Sequence, residues 1–85
     1  MLFRSLLVAG WCAADMLAER LALILPEDRD YATVAGFVLD ALKHIPETGE
    51  VFEDQGHRFE VVDMDGRKID KLLVSHMSSR NGEGS

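Results

Sequence analysis

Residues 33–50 read TVAGFVLDALKHIPETGE, and this stretch decides the fold. Val34, Phe37, Val38, Ala41, Leu42 and Ile45 recur at the three- and four-residue steps that gather apolar side chains on one face of a helix. Thr33 stands just before the run and is the predicted N-cap, because its hydroxyl can accept from an unpaired N–H of the first turn. Lys43 and His44 suit the negative end of the helix dipole. Pro46 bars Ile45 from helical angles, so the helix is expected to stop there.

Beyond Gly49 the apolar period changes from that of a helix to that of a strand. Val51 and Phe52 open a short strand, and Asp54-Gln55-Gly56 supplies a turn. Residues 57–64 then alternate, with Phe59 and Val61 on one face and Arg58 and Glu60 on the other. Asp65-Gly66 predicts a tight hairpin of type I′, in which both central residues have positive φ. In the returning strand, residues 67–74, the phase slips: Ile69 is odd-numbered, whereas Leu72 and Val74 are even. A bulge near Asp70 and Lys71 puts all three on one face. Without it Leu73 would take the core position.

Upstream, residues 5–8 form a short apolar strand that Gly10 ends. From Ala13 onward, Ala14, Leu17, Leu21 and Ile24 mark an amphipathic helix of about three turns, closed by Pro26 and the PEDRD cluster. The expected order is β-α-α-β-β-β. The expected class is α+β, with two helices packed on one face of a small, mostly antiparallel sheet. Residues 5–75 make up the domain in this reading. Residues 1–4 are a start outside it or the mark of a truncation, and 76–85 are a disordered tail with nothing to pack.

Eighty-five residues suffice for one small domain. Nine Lys and Arg against fifteen Asp and Glu leave a net charge of −6, which repels nucleic-acid phosphate and an anionic membrane surface. Cations or basic surfaces are better partners. The one cysteine, Cys12, cannot form an internal disulfide. Arg4 before an apolar run resembles a signal peptide, but Asp15, Glu19 and Arg20 follow at once and the run is too short to span a bilayer. Trp11 before Cys12 also argues against lipidation. A soluble chain without direct membrane insertion is expected.

Catalytic patterns are missing from the sequence. His44, His57 and His76 show no metal-site spacing in the chain, and no G-x-S-x-G frames a serine. The glycines of NGEGS precede no helix, so they are no nucleotide fingerprint. Glu27, Asp28 and Asp30 cluster in a loop and are the candidate ligands for a hard cation such as Mg²⁺, though acidic loops are usually just solvated. Leu39 falls outside the apolar arc of its helix, and Gly36 sits mid-helix at a cost of about 1 kcal/mol relative to Ala. A contact beside Leu39 and a close approach at Gly36 explain both. Packing of the first helix is favoured over an intermolecular partner, with Gly36, Phe37 and Leu39 as the candidate interaction surface. Thr33, Pro46, Gly49, Asp65 and Gly66 are assigned structural roles.

LLVAG, then ILPEDRDYATVAGFVLDALKHIPETGE, then HRFEVVDMDGRKIDKLLV together resemble the transporter-associated domain, also called the CorC/HlyC domain, across residues 6–74. The resemblance implies the same α+β architecture. It also implies a non-catalytic C-terminal accessory domain of a membrane protein related to magnesium and cobalt efflux proteins and haemolysin-like proteins. On that basis transmembrane and paired CBS domains precede it, it lies on the cytoplasmic side of the plasma membrane, and it modulates ion transport through domain contacts or as a homodimer. The fold is similar to part of the FAD-binding domain of vanillyl-alcohol-oxidase-type flavoenzymes, so a small-ligand module binding FAD or a related nucleotide is the alternative, by fold analogy only. No cofactor is otherwise expected. The family pattern reads Asp-Gly and then a Ser or Thr cap, whereas here Ala9 precedes Gly10 and Cys12 stands at the expected cap.

Overall fold

The computed structural model describes residues 5–76. Six elements follow in order: β1 (Ser5–Ala9), α1 (Ala14–Leu21), α2 (Val34–Leu42), β2 (Val51–Asp54), β3 (His57–Asp65) and β4 (Lys68–His76). The strands form one sheet in the order β1-β4-β3-β2, with each neighbouring pair antiparallel. The expected α+β order is the one found. Val8, Phe59, Val61, Ile69, Leu72 and Val74 supply the sheet's share of the core, and Ala14, Leu17, Val34, Phe37 and Val38 supply the helices' share. Complete burial of side chains such as Phe59 and Leu72 contributes about 1.5–3 kcal/mol each.

The phase slip in β4 is resolved by paired bulges. Val61 faces Leu72 and Asp63 faces Lys71, so Val62 is the extra residue on β3. Met64 then faces Ile69, which leaves Asp70 as the extra residue on β4. Ile69, Leu72 and Val74 all turn inward as a result, and Leu73 does not.

The two helices begin side by side. Ala13 and Thr33 form an isolated antiparallel bridge, Ala14 donates its N–H to the Ala32 carbonyl, and Val34 donates to the Cys12 carbonyl. Ala35 donates to the Gly10 carbonyl. Backbone thus satisfies first-turn N–H groups that side chains usually cap. Thr33 adds its expected cap, its hydroxyl accepting from the Gly36 N–H at 3.2 Å. The α1 N-cap is Ala13 and not Cys12, and it makes no side-chain cap.

Both helices stop earlier than their apolar stripes suggest. Ala22 (φ 59°) and Lys43 (φ 65°) take left-handed conformations, and their N–H groups bond back to the carbonyls of Ala18 and Leu39. Ile24 therefore leaves the stripe and is 81% exposed, while Leu23 turns into the core. Ala41 and Ile45 are likewise exposed. Pro46 lies buried beyond the helix and ends nothing.

The hairpins also differ from expectation in detail. Gln55 and Gly56 both have positive φ, so the type I′ pattern belongs to the β2–β3 turn. At the β3–β4 turn Asp65 pairs with Lys68, the central residues are Gly66 and Arg67, and only Gly66 is positive. That is the type II′ pattern, one residue later than expected. β4 continues through His76, one residue into the stretch expected to fray; Ser75, the last residue of the expected domain, is buried and faces Ser5 of β1. The rest of that tail, and residues 1–4, lie outside the described residues.

Candidate functional site

Tyr31, Phe37 and Phe52 line a groove of about 400 Å³ between the α1–α2 linker, α2 and the β2–β3 turn. Their rings form a connected series. Tyr31 meets Phe37 edge-on at 6.1 Å, Phe37 meets Phe59 edge-on at 5.6 Å, and Phe59 stacks on Phe52 at 4.9 Å. The strand register places Phe52 opposite Phe59, which anchors the groove floor to the core. Ile24, Leu25 and Pro26 form its linker wall.

Asp40, Glu53 and Asp54 stand along the same groove. Their charge reaches the aromatic floor: the Tyr31 hydroxyl titrates above its usual range, first through burial and then through Asp40, with Asp54 adding and Arg29 opposing. The Arg29 guanidinium lies 5.8 Å from the centre of the Tyr31 ring, so this ring already receives one cation on its face. Aromatic faces beside carboxylates attract an organic cation and repel a phosphate.

The residues singled out from the sequence are dispersed. Glu27, Asp28 and Asp30 are all exposed, and among the described residues no group of three His, Cys, Asp or Glu side chains comes together as a metal set. Arg29, in their midst, turns toward Asp15 and the Pro26 carbonyl. Phe37 is 5% exposed and belongs to the core and the groove floor, so it offers no docking surface of its own. The close approach at Gly36 is intramolecular, since a Cβ there would stand 2.5 Å from the Tyr31 Cβ. Leu39 is half-buried in a second depression of about 470 Å³, lined also by Trp11, Ala35 and Ile69. Trp11 is 78% exposed.

Among the assigned structural residues, Gly49 (φ 95°) turns the chain from α2 toward β2, and its N–H donates to the Val61 carbonyl at 2.6 Å. The groove residues Tyr31, Asp40, Phe52 and Asp54 escaped the sequence reading. They come from three separate segments, the α1–α2 linker, α2 and β2, and no spacing pattern links the three. Only the pairing of Phe52 with Phe59 was traceable, through the short β2–β3 turn.

A two-helix layer over a four-stranded antiparallel sheet, with an acid-lined groove at one end, defines a small α+β domain. The chain belongs to the CorC_HlyC family, the transporter associated domain, whose family model matches residues 3–78. It is similar to the polyamine export protein of Escherichia coli, at 38% identity over 55 residues that make up 65% of this chain and 12% of that protein. The chain thus spans about a tenth of the length of the curated relatives it matches. Its fold matches a CorC_HlyC domain from Haemophilus ducreyi with a TM-score of 0.81 at 27% identity, covering 89% of this chain and 92% of that one. The CorC_HlyC domain of a Xylella fastidiosa hemolysin, solved in complex with Mg²⁺ and Mn²⁺, matches at 0.75 and 36% identity, covering 87% and 89%. No helix among the described residues is long and apolar enough to cross a membrane.

Proposed function

We propose that this domain is a non-catalytic regulatory part of a membrane cation exporter, and that its groove reads a cation of the exported class. The groove itself carries the reading: Tyr31 and Phe52 offer aromatic surface above the buried Phe37 ring, while Asp40, Glu53 and Asp54 offer charge. An alkylammonium chain matches both halves, with methylenes on the rings and nitrogens at the carboxylates. The likeness to polyamine export proteins supports this choice of cation. A magnesium or cobalt exporter is the neighbouring assignment. A hard divalent ion needs several oxygen ligands, and the described residues bring no such set together.

In this reading the domain sits on the cytoplasmic side, beside CBS and transmembrane domains of its parent. The Trp11–Leu39 depression and the outer sheet face, where Leu7 is 58% exposed, are its surfaces for those neighbours or for a second copy. FAD is disfavoured as a ligand, because its diphosphate would meet the groove's carboxylates. Thermal unfolding with spermidine, MgCl₂ and FAD tests the assignment. Spermidine is expected to raise the melting temperature in a saturable way; a rise with FAD alone would replace this reading by the nucleotide one.

A further inference from the structure

We infer that His57 and His76 form a two-imidazole site for a borderline divalent metal ion such as Zn²⁺ or Ni²⁺. The two residues are 19 positions apart in the chain, yet β3 and β4 place them directly opposite each other at the end of their ladder. Both fall on the face that carries the helices, in the alternation set by Phe59 and Val74. Their ring centres are 5.5 Å apart. Two imidazoles sharing one ion through bonds of about 2.0–2.1 Å bring their ring centres to roughly 5–6 Å.

The state of His57 matches that role. Its Nε2 lies 3.1 Å from the Leu21 carbonyl at the end of α1, which an N–H must satisfy by donating. In the neutral ring this contact places the proton on Nε2 and the lone pair on Nδ1, and Nδ1 is buried without a hydrogen-bond partner among the described residues. A metal-bound histidine is held in the same way, with the second ring nitrogen donating to a backbone carbonyl. His76 is exposed and free to adjust its ring toward a shared ion.

The surroundings select the ion. The depression of about 330 Å³ at this corner is lined by Ser5, Leu6, Arg20, Leu21 and Val74 besides the two histidines. Among the described residues it presents no carboxylate and one cation, which disfavours Mg²⁺ or Ca²⁺. Ions that accept imidazole nitrogen remain, with water completing their coordination. This inference is independent of the groove.

Calorimetric titration of the full chain, free of any histidine tag, with ZnCl₂, NiCl₂ and MgCl₂ tests it, alongside NMR of the imidazole resonances. Saturable binding of one Zn²⁺ or Ni²⁺ per chain is expected, with His57 and His76 resonances shifting and no response to Mg²⁺. His76→Ala, a surface change that keeps the circular dichroism spectrum, is expected to abolish binding, and His57→Gln to do the same. His44→Ala, which alters the one remaining histidine, is expected to leave it intact. Absence of saturable binding up to millimolar metal, or binding that survives His76→Ala, overturns the inference.

Discussion

The side-chain amide of Gln55 holds the backbone of Ile24 at both of its polar groups. The Ile24 N–H donates to Gln55 Oε1 at 2.9 Å, and Gln55 Nε2 donates to the Ile24 carbonyl at 3.2 Å. One turn residue thereby supplies what a neighbouring strand would, and it fixes the linker after α1 against the β2–β3 turn. The groove exists between these two segments, so its shape rests on this clamp.

Gln55→Ala removes both bonds at an exposed site and is expected to cost about 1 kcal/mol. Chemical denaturation reads that loss. The same variant is expected to weaken any groove ligand by more than the stability change alone, because Ile24, Leu25 and Pro26 lose their tether.

The helix starts make opposite predictions at two bridged positions. Thr33→Ala deletes the hydroxyl that accepts from Gly36 and is expected to cost about 1 kcal/mol. Ala13→Ser gives α1 the side-chain cap it lacks and is expected to stabilise by about 0.5–1 kcal/mol. Equal effects of both changes in a denaturation series would contradict the capping assignment.

Much of this architecture was readable because periodicity and turn chemistry act locally. Thr33, the Phe59–Val61 alternation and the slip between Ile69 and Leu72 each left a mark within a few residues, and the bulge follows from the need to bury all three side chains of β4. The helix ends were harder to read. Ala22 and Lys43 adopt left-handed angles without being glycine, so nothing local distinguishes them from helical residues. Pro46 drew the α2 boundary too far because it signals only the last place a helix can stop. The β3–β4 turn was misplaced by one residue because Asp65-Gly66 and Gly66-Arg67 differ only in ladder register. The groove and the His57–His76 pair depend on strand pairing across many residues, which no spacing in the chain displays.

Gly10 separates a contact effect from a conformational one. A Cβ at this position would stand 2.0 Å from the Ile69 carbonyl oxygen, which is backbone and cannot swing aside. Gly10→Ala is expected to cost more than about 2 kcal/mol or to prevent folding. Gly56→Ala meets no atom of the described residues within 4 Å and suffers from its φ of 82°, so about 1–2 kcal/mol is expected. Comparing the two melting temperatures checks the order.

Glu50 links stability to pH. The Glu47 N–H and then the His44 ring hold its carboxyl below the usual carboxylate range. A carboxylate with a depressed folded pKa stabilises above its unfolded pKa, and that contribution is lost as pH falls through the folded value. Acid titration of stability is therefore expected to show a shallower fall for Glu50→Gln than for the unaltered chain. Parallel curves would show that these contacts make no net contribution.

Binding of an organic cation in the groove is what gives this domain its proposed role. Chemical-shift mapping of the ¹⁵N-labelled chain during a spermidine titration tests it most directly, with Asp54→Asn and Asp40→Asn variants beside it. Saturable shifts confined to Tyr31, Phe37, Phe52 and their neighbours, weakened in both variants and by added salt, are the predicted result. Shifts scattered over all acidic residues, or unchanged in the variants, would contradict it.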